Sequence, residues 1–257
     1  MFNIKSFFVV LMAIIFPLTG CKNDTIVTSV QNKQLSKIIQ DDDNYSTFNY
    51  LNGKLVIYQT ISGAEIFLSV ILNYDNSDLP QSEHYKTRNE DILKNYYFNQ
   101  SSMLDSMDFL LYSNTTYNYV IDGHMKYSYN ASNHLIKMEQ YNTGYELLFT
   151  TEYDYDASEN IVESRFYNMN GLLEIAKMTY DNKTNPLYHL KGLLNYEATM
   201  SKNNLVSTST TNVNNSQNNS ETIITYKYSS DGYPVTRTID YIGYNNKSTL
   251  SYTYEYQ

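Results

Sequence analysis

Few residues in this sequence have the types and spacing that acid–base or metal chemistry requires. The histidines are His84, His124, His134 and His189. They stand at no spacing that zinc sites use, and His124 and His134 each follow turn-forming residues, so we expect the histidines in solvent-exposed loops. The sequence contains neither a Gly-x-Ser-x-Gly nucleophile elbow nor a His-Glu-x-x-His zinc motif. We therefore predict no catalytic residues, no metal, no cofactor and no enzymatic activity.

The N-terminus carries the pattern of an export signal. A short region with one positive charge, at Lys5, precedes an apolar stretch from Phe7 to Leu18 that is shorter than the roughly 20 residues needed to span a bilayer. The stretch ends in Leu18-Thr19-Gly20-Cys21, which resembles the lipobox of bacterial lipoproteins. The resemblance implies a signal peptide over residues 1–20 and a lipid on Cys21, the single cysteine of the chain.

The lipid predicts attachment to a membrane surface without crossing it, because buried acyl chains act as an anchor. Lys22 follows the cysteine, where an aspartate would signal retention in the inner membrane, so we expect an outer-membrane lipoprotein facing either the periplasm or the exterior. Residues 21–44 are polar and predict a tether. Within it we expect a short helix over Lys33–Gln40, because its three aliphatic residues share one helical face.

The charge and composition exclude one class of partner. The chain has a formal net charge of −9 at pH 7, the opposite of the basic footprint that nucleic-acid binding needs. Only 18% of the residues are charged, and 28 tyrosines stand against 10 phenylalanines and no tryptophan.

The tyrosines belong to a repeat in which two tyrosines, two residues apart, are followed by a polar turn and an aliphatic residue or proline. The clearest copies start at Tyr127, Tyr153 and Tyr226, and the chain ends on a related strand, Ser251–Tyr256. Residues two apart leave the same face of a β-strand, and turns favour Asp, Asn, Ser and Gly. Each copy therefore predicts a β-hairpin with one aromatic face and one polar face.

The repeat predicts a single all-β domain over residues 45–257. We expect an antiparallel meander of repeated β-hairpins, curled into a wide water-soluble barrel or a large twisted sheet. Charged residues on one face and tyrosines on the other do not suit lipid tails, so we expect water around the sheet. Two stretches depart from the pattern: we expect a helical turn or long loop in Glu90–Leu110 and a loop in Asn214–Ser220.

Two copies of the repeat carry a family resemblance. They read Tyr153-Asp-Tyr-Asp-Ala-Ser-Glu-Asn-Ile-Val-Glu163 and Tyr226-Lys-Tyr-Ser-Ser-Asp-Gly-Tyr-Pro-Val235. Both resemble the YD repeat of Rhs-type proteins, with one extra residue in the turn. Together with the lipobox they resemble a family of tyrosine-rich lipoproteins of Bacteroidota that is described as having a porin-like fold. The resemblance implies a β-fold over residues 45–257, and it implies no activity and no catalytic residue.

The tyrosine face is the candidate binding surface. A buried hydroxyl needs a hydrogen-bond partner, and so many are hard to satisfy in a dry core, so we expect this face to be partly wet and to line a groove or lumen. The expected ligand is a glycan or a peptide, bound without catalysis. The candidate binding residues are Tyr127, Tyr129, Tyr153, Tyr155, Tyr226, Tyr228, Tyr252 and Tyr254. The alternative is a structural or adhesive envelope protein in which the tyrosine ladder is only core.

Overall fold

The computed structural model describes residues 33–188, 199–243 and 247–257. The predicted signal peptide, Cys21, most of the predicted tether and His189 lie outside these residues. The described part of the chain forms sixteen β-strands. They are β1 (Leu35–Ile39), β2 (Asn44–Leu51), β3 (Lys54–Ser62), β4 (Glu65–Tyr74), β5 (Pro80–Thr87), β6 (Asp91–Phe98), β7 (Leu104–Ser113), β8 (Asn118–Tyr129), β9 (Leu135–Asn142), β10 (Leu147–Tyr155), β11 (Ile161–Asn168), β12 (Gly171–Thr184), β13 (Asn203–Asn212), β14 (Ser220–Tyr228), β15 (Pro234–Ile242) and β16 (Lys247–Tyr256).

The strands form one closed barrel. Every strand pairs antiparallel with the next strand along the chain, and β1 pairs with β16 to complete the ring. The closing register sets Leu35 opposite Tyr256 and Ile38 opposite Tyr254. The predicted all-β meander of hairpins is therefore confirmed, and its sheet is closed. Within the described ranges, no helix is long and apolar enough to cross a membrane.

The helix predicted over Lys33–Gln40 is wrong, because these residues contain strand β1. The strand's backbone pairs with β16 on one side and with β2 on the other. A helix this short is marginal in water, whereas the two ladders and the packing of Ile38 on the core stabilise the extended form. The barrel therefore begins at Leu35, inside the range predicted as tether.

The stretch Glu90–Leu110, predicted as a helical turn or long loop, holds β6 and the larger part of β7. The prediction is wrong because a charged residue, Lys94, stands at an inward position and interrupts the alternation of apolar and polar residues. Lys94 takes a buried position between Ile92 and Tyr96, so the inward face of β6 does not look apolar in the sequence. By contrast, the connection predicted in Asn214–Ser220 is present as a loop with a short 3-10 turn, Ser216–Asn218.

Alternate side chains of the strands point into and out of the barrel. The inward side chains pack into a continuous core to which strands all around the ring contribute, from Leu35 and Val70 to Met125 and Tyr254. The final strand keeps Tyr252, Tyr254 and Tyr256 on this inward face, as the alternation predicts. The outward face carries charged residues such as Arg165 and Lys137 together with exposed apolar side chains such as Phe67, Ile71 and Ile223.

The two ends of the barrel differ. We call the end that carries Leu35, Tyr256 and the turns of the repeat the tyrosine end, and the opposite end the loop end. Five-residue turns at the tyrosine end begin with Asp75, Asn99, Asn130 and Asp156. The first side chain accepts hydrogen bonds from the third and fifth N–H groups at 2.8–3.1 Å. The fourth residue adopts a left-handed φ of 58–65° in each turn.

A recurrent hydrogen bond ties neighbouring hairpins together at the tyrosine end, and we call it the tyrosine clasp. The last tyrosine of an even-numbered strand donates its hydroxyl proton to a main-chain carbonyl at the start of the preceding strand, over 2.6–3.0 Å. The pairs are Tyr50–Leu35, Tyr74–Leu55, Tyr129–Leu104, Tyr155–Leu135 and Tyr256–Pro234. The two strands of each such pair are connected by a turn at the loop end only. At the tyrosine end no turn connects them, and the clasp holds them together there.

Candidate ligand-binding site

The structure divides the eight candidate tyrosines into two groups. Tyr127 and Tyr153 are buried in the core, with only 2% of Tyr153 exposed. Tyr129 and Tyr155 are half-buried, and their hydroxyls form clasps. The first four candidates therefore serve as core packing or as clasps, a role in stability that needs no ligand.

The other four candidates converge on a cation. Tyr226 in β14 and Tyr252 in β16 are the register partners of Arg237 in β15, so the three side chains stand in one row on the inward face. Tyr228 and Tyr254 are the next inward residues of their strands towards the tyrosine end, and the rings of Tyr226 and Tyr228 stack with centroids 5.8 Å apart. This tyrosine-framed arginine is the candidate site.

Arg237 lies against aromatic faces and lacks a counter-charge. Its guanidinium carbon is 4.6 Å from the ring centroid of Tyr252 and 5.6 Å from that of Tyr254, which gives two cation–π contacts. Its Nε is buried and makes no hydrogen bond with any residue that the structure describes. None of the ion pairs formed by the described residues involves Arg237. Burial raises the pKa of Tyr254, and the positive charge of Arg237 opposes that rise.

A second cation on the inward face, Lys94, is buried in the core and paired with a carboxylate. Its Nζ lies 2.7 Å from Oε1 of Glu83, and Tyr96 donates to Oε2 of the same carboxylate at 2.7 Å. Glu83 is fully buried. Burial lowers the pKa of Lys94, and the Glu83 carboxylate opposes that shift. A buried charge is costly unless it is paired, and Lys94 meets this condition while Arg237 does not.

The lumen wall around Arg237 becomes more polar and more accessible towards the loop end. Tyr241, on the same face as Arg237 and four residues along β15, is 39% exposed, and its register partners are Thr222 and Ser248. A row containing Ile239 separates the two levels. The sequence did contain the signal for this site: Arg237, Ile239 and Tyr241 share one phase of the alternation in β15, which places a cation on the inward face.

At the tyrosine end, residues of β12 and β13 contact the site. Tyr228 donates its hydroxyl proton to Asp181, and Asn204 contacts the same carboxylate at 3.3–3.4 Å. Ser201, fully buried, accepts from the main-chain N–H of Ile161 at 3.1 Å. The hydroxyl of Tyr228 therefore bonds a side chain, whereas the tyrosines of the clasps bond main-chain carbonyls.

The histidines are placed differently from the prediction. His84 and His124 lie on strands and not in loops, and His124 is only 8% exposed because the ring of Tyr145 stacks on it at 4.2 Å. The Nδ1 atom of His124 lies 2.6 Å from a carboxylate oxygen of Asp108. His134 lies in the β8–β9 turn, as predicted. Throughout the described segments, no group of three or more His, Cys, Asp or Glu side chains is arranged to hold a metal ion.

The fold has a counterpart among solved structures. It is similar to that of a porin-like protein from Bacteroides uniformis. The two chains are 14% identical, the match covers 87% of this chain and 98% of that one, and the TM-score is 0.56. A porin-like protein from Bacteroides vulgatus matches over 87% of this chain and 99% of its own with 12% identity and a TM-score of 0.41. No protein-family model and no curated protein matches the sequence. At this identity, the likeness to the Bacteroides uniformis protein shows the fold alone.

Proposed function

We propose that the protein is a lipid-anchored, non-catalytic binding protein of the bacterial cell envelope that holds an extended ligand, preferably a glycan, in its lumen. The observation that carries the proposal is the row Tyr226–Arg237–Tyr252, which places among tyrosines on the inward face a cation that has no ion-pair partner within the described residues. Aromatic rings stack on the apolar faces of sugars, and phenol hydroxyls and guanidinium N–H groups hydrogen-bond to sugar oxygens.

The anchor follows from the lipobox and from the place where the chain joins the barrel. Lys33 forms an ion pair with Asp231 and lies 5.8 Å from the ring centroid of Tyr233, so the chain leaves the barrel at the tyrosine end. A lipid on Cys21 would therefore tether the barrel by its tyrosine end, and the loop end would be the route of entry. A fully extended chain reaches about 3.3–3.6 Å per residue, and this reach sets the greatest distance between the lipid and the barrel.

The outer wall supports a barrel that stands in water. Arg165 in β11 bonds Asp154 at 2.5 Å and Glu163 at 2.6 Å, in the middle of two neighbouring outward faces. An arginine or lysine that faces lipid at the bilayer midplane costs about 2–4 kcal/mol. Lys137 and Glu139 extend the same charged surface across β9, so this side of the barrel is suited to water and not to acyl chains.

A glycan fits the barrel better than a peptide does. Extended peptides commonly bind by adding a strand to an exposed sheet edge. All sixteen described strands have two partners, so this route is closed. The lumen offers tyrosine rings and hydroxyls, which a sugar chain uses without any backbone pairing.

A second function, a structural or adhesive envelope protein, is favoured by a different observation. The clasps and the buried Tyr127 and Tyr153 show that many tyrosines have structural partners. In that case the exposed tyrosines of the loop end, Tyr117 and Tyr145, are the natural contacts for a partner protein.

Binding of the lipidated protein, purified in detergent, to a glycan array separates the two functions. We expect binding that is abolished by Tyr252→Ala and weakened by Tyr252→Phe, with little loss of thermal stability. Tyr155→Ala is the matched control, because it removes a clasp far from Arg237 and lowers stability while binding persists. Loss of binding only in proportion to unfolding would favour the structural function, and hydrolysis of any glycan would refute a non-catalytic role.

The anchor has its own test. A fatty acid with a clickable tag should label the wild-type protein in cells, and Cys21→Ala should remove both the label and the membrane association. Labelling that persists in the variant would refute the anchor.

A further inference from the structure

We infer that Arg237 holds an oxyanion of the ligand, so that the ligand is an acidic saccharide carrying a carboxylate or a sulfate ester. This inference rests on the proposed function and specifies its ligand class. The starting point is the contrast between the two inward cations: Lys94 has Glu83 at 2.7 Å, and Arg237 forms no ion pair with any described residue.

A guanidinium in this setting is prepared for an anion. It presents a planar fork of N–H donors that matches two oxygens of a carboxylate or sulfate, and such charge-assisted bonds are stronger than neutral ones. Among the described residues no acceptor meets the buried Nε–H of Arg237, so this donor is left for an oxyanion that displaces the packing around it. Replacing Arg237 by lysine would keep the charge and lose the paired geometry.

The surrounding tyrosines favour an anion over a second cation or an apolar group. Tyr226 and Tyr252 flank Arg237 in its own row, and Tyr241 stands above it on the accessible side. Each hydroxyl can donate a proton to an oxyanion, while the rings hold the guanidinium in place through cation–π contacts at 4.6 and 5.6 Å. The nearby carboxylate, Asp181, is engaged by Tyr228 and Asn204.

The test compares saccharides that differ only in charge. An oligogalacturonide, the same oligosaccharide with its carboxyls reduced to alcohols, and a sulfated oligosaccharide are titrated calorimetrically into the lipidated protein. We expect an acidic probe to bind about 10- to 100-fold more tightly than the neutral one, the range for a charge-assisted hydrogen bond. Preference for the uronide or for the sulfate ester identifies which oxyanion the site takes.

Two arginine variants locate the effect. Arg237→Gln should abolish the preference for the acidic probe, and Arg237→Lys should retain part of it. Arg165→Gln removes an arginine from the outer wall, where it is already paired with acids, and should bind like the wild type. Equal affinity for acidic and neutral probes, or an unchanged preference in Arg237→Gln, would overturn the inference and leave a neutral-glycan function standing.

A second measurement does not depend on saccharides. Inorganic sulfate, compared with sodium chloride at equal ionic strength, should raise the Tm of the wild type and of Arg165→Gln more than that of Arg237→Gln. Sulfate stabilisation without any saccharide binding would keep the oxyanion subsite and refute the glycan function. An equal response of all three proteins would refute the subsite itself. Binding of an oligoglutamate as tightly as the oligogalacturonide would refute the saccharide and indicate an acidic peptide.

Discussion

Substitution of Tyr155 by phenylalanine tests whether the clasp stabilises the barrel. The variant keeps the ring and removes only the hydroxyl, which donates to the carbonyl oxygen of Leu135 at 3.0 Å. A protein hydrogen bond contributes about 0.5–1.5 kcal/mol net, and a buried partner left without one costs about 1–3 kcal/mol. Because Tyr155 is half-buried, we expect a loss of about 1 kcal/mol in the free energy of unfolding.

The assay is chemical denaturation, supported by calorimetry. For a protein of this size, about 1 kcal/mol corresponds to a fall in Tm of about 2–4 °C. Tyr117→Phe is the matched control, because Tyr117 is 80% exposed in the β7–β8 connection. Tyr74→Phe removes the clasp to Leu55 on a distant part of the ring, and its effect should add to that of Tyr155→Phe. If Tyr155→Phe and Tyr117→Phe unfold alike, the clasp does not contribute to stability.

Four further predictions concern the core, the turns and pH. Lys94→Met leaves the fully buried Glu83 carboxylate without its cation and should lower the free energy of unfolding, measured by denaturation, by about 3–5 kcal/mol. Adding Glu83→Leu should restore most of this loss, and equal stability of the single and double variants would contradict the prediction. Gly123→Ala places a methyl carbon 2.4 Å from a ring carbon and 2.6 Å from a main-chain oxygen, so its Tm should fall. Ser102→Gly relieves a φ of 58° and should stabilise the protein by about 1 kcal/mol, whereas a lower denaturation midpoint would contradict a strained turn. Burial raises the pKa of Tyr74 to about 12 in the folded protein, whereas a tyrosine in the unfolded chain titrates near about pH 10. The unfolded chain therefore loses this proton first as the pH rises, so the free energy of unfolding should decline between about pH 10 and 12. The decline should be less steep in Tyr74→Phe.

The sequence predicts the faces of the strands better than their closure. A period of two is a local property of extended backbone, so Tyr252, Tyr254 and Tyr256 could be assigned to one face from spacing alone. Closure depends on the register between successive hairpins and on the pairing of β1 with β16, and the spacing of residues within one hairpin reports neither. Strand β1 was missed because five residues carry little pattern, and their partner strand lies at the other end of the chain.

The candidate site was predicted in part. Spacing identified Tyr226, Tyr228, Tyr252 and Tyr254, which the structure gathers on β14 and β16 around β15. Spacing did not separate them from Tyr129 and Tyr155, because a clasp depends on a carbonyl that lies 20 or more residues earlier in the chain. Arg237 was missed because the repeat directs attention to its tyrosines, and only the packed structure shows which cation lacks a partner.

The pairing of β1 with β16 has a consequence for biogenesis. Strand β1 pairs with β16, the last strand along the chain, so an incomplete chain cannot close its sheet. Until then, two rows of unsatisfied N–H and C=O groups are exposed as templates for another copy. Pairing of the final strand is therefore the step that closes the sheet into a ring without edges, and a chain that lacked this strand would expose both edges to aggregation.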